Sequence, residues 1–145
     1  MEVYTLGFTK RSAADFFGAL RAAGIQRLLD VRLHNTGQLA GFTKREDLAY
    51  FLRDLCGAEY RHEPQLAPSA DLLEAYRKRK GSWQEYERGF RALMAERAIE
   101  RSYDPSLFAE PTVLLCSETT AERCHRRLVL EHLQEHWDDI EIVHL

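Results

Sequence analysis

Apolar positions along the chain fall into short runs and helical stripes that alternate with turn residues. Glu2 to Leu6 reads as a first strand, closed by Gly7. Ser12 is placed to cap a helix from Ala13 to about Ala23, with Phe16, Leu20 and Ala23 on one face and Gly24 at its end. A second run, Gln26 to Arg32, carries Leu28-Leu29-Asp30-Val31 and reads as a strand. Strand, helix and strand at this spacing predict a right-handed βαβ unit with parallel strands. Leu33 to Thr43 holds Asn35, Gly37 and Gly41 and lacks periodicity, so it is expected as a loop at the carboxyl end of the second strand. Open α/β sheets bind ligands at that edge.

Downstream, Leu48, Phe51, Leu52 and Leu55 mark a helix over Lys44 to Cys56, ended by Gly57, and Ala58 to His62 reads as a short third strand. Glu63 to Pro68 is a turn-rich connection. Two helical patterns follow, Ser69 to Lys80 and Ser82 to Ser102, separated by Gly81; Trp83, Tyr86, Phe90 and Leu93 form the stripe of the second. This helical insert is expected to act as a lid or as extra packing. Thr112 to Cys116 is an apolar strand between Pro111 and Ser117. Thr119 and Glu122 match a capping box, predicting a helix from Thr120 to about Trp137, and Glu141 to His144 makes the last strand. The pattern predicts a single doubly wound, Rossmann-like α/β domain over residues 1–145, with about five mostly parallel strands.

Composition narrows this picture. A chain of 145 residues with 45% apolar and 30% charged residues is globular, not disordered. A net charge of −3 gives no global pull towards nucleic acid or acidic membranes, so any anion site must be local. No apolar run approaches the ~20 residues that span a bilayer, and the first residues do not resemble a secretory signal. Three cysteines without such a signal are expected as free thiols in a reducing compartment, the cytoplasm.

The candidate chemistry collects at strand ends: Gly7-Phe8-Thr9, Arg32 with His34, and Cys116 with Glu118. Parallel pairing would bring all three to one edge. Cys116, just ahead of a helix start and near arginines, is the candidate nucleophile; its bland alternative is a buried structural thiol. Glu118 is a candidate general acid or base, or a hydrogen-bond partner for a ligand hydroxyl, or else only favourable charge at a helix start. Asp30 and Arg32 share a face of their strand. The Arg32 fork suits a carboxylate or phosphate, or equally a salt bridge to Asp30 or Glu118.

Within the last helix, Cys124 lies one turn before Leu128 on an apolar stripe and reads as a core cysteine. His125 is either a proton shuttle or an anchor for a backbone carbonyl. Arg126 and Arg127 can reach an anion, while Glu122 and Arg126 also form an ordinary i, i+4 pair. Cys116, Cys124 and His125 match no usual zinc spacing, and neighbours on a helix diverge by about 100°; no metal or cofactor is expected. A phosphate loop of the C-x5-R kind fits poorly, because Glu122 stands five residues after Cys116 and Arg123 one place late. Basic clusters at Lys44-Arg45, Arg77 to Lys80, and Arg123 with Arg126 and Arg127 allow a nucleic-acid surface, or simply solvated helix faces.

Tyr4-Thr5-Leu6-Gly7, Asp30-Val31-Arg32, Leu115-Cys116-Ser117-Glu118, Cys124-His125-Arg126-Arg127 and the closing Val143-His144-Leu145 together resemble the bacterial and archaeal domain of unknown function 488 family, over essentially the whole chain. The chain departs from the commonest family pattern at Phe8, where many members carry histidine, and at Leu33-His34-Asn35-Thr36, where many have proline and serine. The resemblance implies a fold and a pocket but no reaction. The leading expectation is therefore an enzyme-like domain for a small anionic or nucleotide-like ligand. Arg32, His34, His125, Arg126 and Thr9 would be the ligand-binding residues, and Cys116 and Glu118 the catalytic ones. The competing expectation is a non-catalytic nucleic-acid-associated module using the same arginines.

Overall fold

The structure, a computed structural model, describes residues 1–36, 40–78, 81–117 and 124–145. Five strands form one sheet: β1 (Glu2–Gly7), β2 (Arg27–Asp30), β3 (Glu59–His62), β4 (Thr112–Cys116) and β5 (Glu141–His144). Their order is β3-β2-β4-β1-β5, and every pairing is parallel. This is an α/β doubly wound arrangement. β2 and β3 carry the chain towards one edge, whereas β4 leads back towards β5 at the other. The crevice between the ends of β2 and β4 is thus the point where the outgoing connections diverge, the usual ligand position in such sheets.

The helices are α1 (Ala13–Ala22), α2 (Arg45–Phe51), α3 (Ala70–Arg77), α4 (Trp83–Arg97), α5 (Ile99–Ser102) and α6 (His125–His136). Ser12 caps α1 as its sequence suggests, its side chain accepting from the Asp15 amide. The period-2 alternation of the strands then decides which helices each residue meets. Leu28, Val113 and Leu115 pack against Phe16, Phe17 and Leu20 of α1 and Leu48 of α2. Leu29, Val31, Leu114 and Cys116 face the other way, onto Phe90 and Met94 of α4 and Leu128 and Leu133 of α6.

Three elements differ from the sequence reading. The helix expected over 44–56 runs as α2 and then widens into a π-helical turn, Leu52–Cys56, before Gly57 closes it in the left-handed region (φ 62°). The long helix expected to Ser102 breaks at Ala98, a non-glycine residue at φ 49°, where α4 ends and α5 begins. The last helix starts at His125 and not at Thr120: Cys124 is its N-cap, in extended conformation (φ −139°, ψ 141°). The capping box at Thr119 and Glu122 lies outside the described residues. Among the described residues no helix is long and apolar enough to cross a membrane.

Candidate functional site

The strand ends converge as parallel pairing requires. Gly7 of β1 is opposite Cys116 of β4, and Asp30 of β2 is opposite Leu115. This register puts Cys116 in step with Val31 rather than with Asp30. Side chains of Asp30 and Arg32 therefore leave on the α2 side, while Cys116 leaves on the α6 side. Two buried polar centres result, one on each face.

On the α2 side, Asp30 is fully buried and Arg32 nearly so. The guanidinium grips the carboxylate with two bonds, Nε to Oδ1 at 2.8 Å and Nη2 to Oδ2 at 2.9 Å, and Nη2 also donates to the Thr43 carbonyl at 2.7 Å. Tyr60 donates its hydroxyl to Asp30 Oδ2 at 2.6 Å and receives the Asn35 amide at 3.2 Å. Burial, then the Asp30 carboxylate, pushes the Tyr60 hydroxyl well above its ordinary range, which keeps it a donor. Of the alternatives for Arg32, the salt bridge to Asp30 is the one realised. The paired guanidinium still forms part of the crevice wall.

On the α6 side, the sulfurs of Cys116 and Cys124 are joined as a pair, leaving Cys56 as the free cysteine. This corrects the expectation of three free thiols, and it corrects the view of Cys124 as core packing alone. Because α6 starts one residue after Cys124, that side chain turns back to the end of β4 instead of lying along the helix stripe. Arg126 is almost completely buried, and its Nη1 donates to Cys116 Sγ at 2.8 Å. Its guanidinium is thus directed at sulfur and is not held out in solvent for an anion. Arg127 pairs with Glu131 at 3.0 Å and approaches Glu87 at 3.7 Å.

His125 acts as an anchor. Its Nε2 lies 2.6 Å from the Val31 carbonyl oxygen, which can only accept, so Nε2 carries the proton. Burial, countered by that bond and reinforced by the nearby Arg126 charge, pushes its pKa down to about 4, leaving the ring neutral at pH 7. Thr9 is a latch: its backbone amide donates to the Ser117 carbonyl at 3.2 Å and its hydroxyl donates to the same oxygen. Thr9 is not among the described residues lining the crevice.

A cavity of about 170 Å³ opens between the ends of β2 and β4. Arg32, His34, Arg77, Cys124 and His125 line it, with Tyr76 and Tyr86 among its aromatic wall residues. Cys124 lines the cavity, whereas its partner Cys116 is not among the described lining residues. α3 contributes Tyr76 and Arg77, so the helical insert forms one wall. No described lining residue is acidic. Arg77, which the strand-end argument missed, reaches towards Ser117 Oγ at 3.5 Å; no sequence signal distinguished it from the basic run around it. Glu118 lies outside the described residues.

A family model, "Domain of unknown function DUF488", matches residues 12–133. The chain belongs to the DUF488 family. No curated protein and no solved structure matches it. In this DUF488 domain the cavity, its sulfur pair and the arginines around it are the chemically distinctive features.

Proposed function

We propose that this DUF488 domain is a thiol-dependent enzyme that exchanges thiols and disulfides with a small anionic substrate. The observation that carries the reading is the 2.8 Å contact of buried Arg126 with Cys116 sulfur, beside Cys124 at the cavity. A guanidinium against sulfur favours thiolate over thiol, and a cysteine at a helix N-terminus is favoured in the same direction. The size of the cavity suits a small molecule, since an apolar cavity of about 150 Å³ holds benzene. Arg77 and the absence of described acidic lining residues favour an anionic group.

In this mechanism the Cys124 thiolate attacks one sulfur of a low-molecular-weight anionic disulfide. A mixed disulfide forms and the first substrate thiolate leaves. The Cys116 thiolate, held by Arg126, then attacks Cys124 Sγ. The Cys116–Cys124 bond forms and the second substrate thiolate leaves. The two protons released by the protein thiols end on the two product thiols, so two protein thiols are oxidised as one substrate disulfide is reduced. The neutral His125 orients the start of α6 through Val31 and carries no charge of its own in the reaction.

Iodoacetamide labelling of the reduced protein at pH 6 tests this. Cys124 or Cys116 should label at least about tenfold faster than Cys56, whose thiol burial pushes up. Arg126→Met should remove most of that advantage. Equal, slow labelling of all three cysteines would defeat the thiol mechanism. A nucleic-acid module is less well supported, because Arg32 and Arg126 are buried and Arg127 is paired with carboxylates. A salt-sensitive mobility shift with duplex or single-stranded probes would revive it.

A further inference from the structure

We propose that Glu100, His132 and His136 form a binding site for a divalent transition-metal ion, zinc being the best match, at the opposite end of α6 from the sulfur pair. The site does not depend on the thiol reading. His132 and His136 are one turn apart on α6, so both rings project from one face. Their centroids are 4.7 Å apart and the rings stack at 28°. Glu100 arrives from α5, its backbone carbonyl accepting from Trp137 Nε1 at 3.2 Å. One potential ligand atom from each of the three residues lies within 4.8 Å of the others.

Proton placement at His136 favours an ion. His136 Nδ1 lies 2.9 Å from the His132 carbonyl oxygen, which can only accept. Nδ1 therefore carries a proton, and Nε2, 3.9 Å from Glu100 Oε1, is the nitrogen left to bind a metal. An imidazole fixed through one nitrogen by a carbonyl, with the other left basic, is the usual arrangement of a metal-binding histidine. His132 Nε2 donates to Glu100 Oε2 at 2.7 Å, and metal binding there would displace that proton. Zinc bonds of about 2.0–2.1 Å in a tetrahedron set ligand atoms ~3.3 Å apart, between these two separations. A small rotation of the carboxylate would seat the ion. Two imidazoles select zinc, copper or nickel over magnesium or calcium. His132 is buried, Glu100 partly so and His136 exposed, which leaves a route in and room for a water as the remaining ligand. Bound metal would clip the end of the helical insert to α6.

Calorimetric titration of the metal-stripped full chain with zinc alone, and visible absorption with cobalt, test the site. The expected result is one equivalent bound, with cobalt d–d bands and no sulfur-to-cobalt charge-transfer band. His136→Ala, at an exposed position, and Glu100→Gln should each weaken binding at least about tenfold while the chain stays folded. No saturable uptake overturns the site. So does uptake that survives both substitutions, or a cobalt spectrum dominated by sulfur ligation.

Discussion

Two buried arginines sit on opposite faces of the same sheet edge, and their partners differ in kind. Arg32 is locked in a bidentate grip on the Asp30 carboxylate, with Thr43 and Tyr60 completing the network. Arg126 presents Nη1 to a sulfur. With both carboxylate oxygens and the guanidinium bonded inside the fold, the Arg32 centre is permanent architecture that fixes the loop after β2. A cysteine sulfur changes charge with protonation and oxidation, so the Arg126 centre can take part in chemistry. The contrast separates the part of the edge that builds the crevice from the part that can react.

The largest expected effect tests the architectural half. Asp30→Asn keeps the shape of the side chain but leaves Arg32 buried without its counter-charge and Tyr60 without its carboxylate acceptor. Breaking a buried pair from one side costs about 3–5 kcal/mol. Urea unfolding should show a loss of that size, whether the cysteines are reduced or oxidised. A loss below about 1 kcal/mol, the size of an exposed pair, would mean that the network is not a structural centre.

The parts of this edge legible in the sequence were those governed by local periodicity. The strands ending near Gly7, Arg32 and Cys116 follow from alternation and turn residues, and the parallel direction of the first two from the βαβ spacing, although β4 lies between them. What alternation could not supply was register between strands. Asp30 opposite Leu115, rather than opposite Cys116, is what sends Arg32 and Cys116 to different faces. A one-residue slip would have put them together. The meeting of Cys116 with Cys124 was hidden for a similar reason, because it depends on α6 starting at His125. The His132–His136 pair had a visible signal, two histidines four apart on a helix, but its third member Glu100 comes from an insert whose docking no local pattern specifies.

A smaller effect probes the reactive face through pH. Burial and the adjacent Arg126 charge hold His125 at a pKa of about 4, below its unfolded value of about 6.5. The unfolded chain therefore binds the extra proton first. Stability should be intact above pH 6.5 and fall as pH drops towards 4, by up to about 3 kcal/mol from this group. His125→Gln, which cannot titrate, should flatten the stability profile across that window in chemical denaturation measured from pH 7 to 4. An unchanged slope would show that the ring takes up its proton alike in the folded and unfolded chain, and that burial and the cation beside it have little influence on this face.

The smallest effect concerns the join between the two faces. Thr9, at the end of β1, ties its amide and hydroxyl to the Ser117 carbonyl just past Cys116. If this contact is only a latch, Thr9→Val keeps the shape, retains the backbone bond and removes one hydroxyl bond, costing about 1 kcal/mol. Denaturation should report that loss, and the iodoacetamide rates of Cys116 and Cys124 should match those of the unsubstituted protein. A changed labelling rate without the stability loss would make Thr9 part of the reactive centre. The boundary between scaffold and chemistry would then lie at β1, not at the register between β2 and β4.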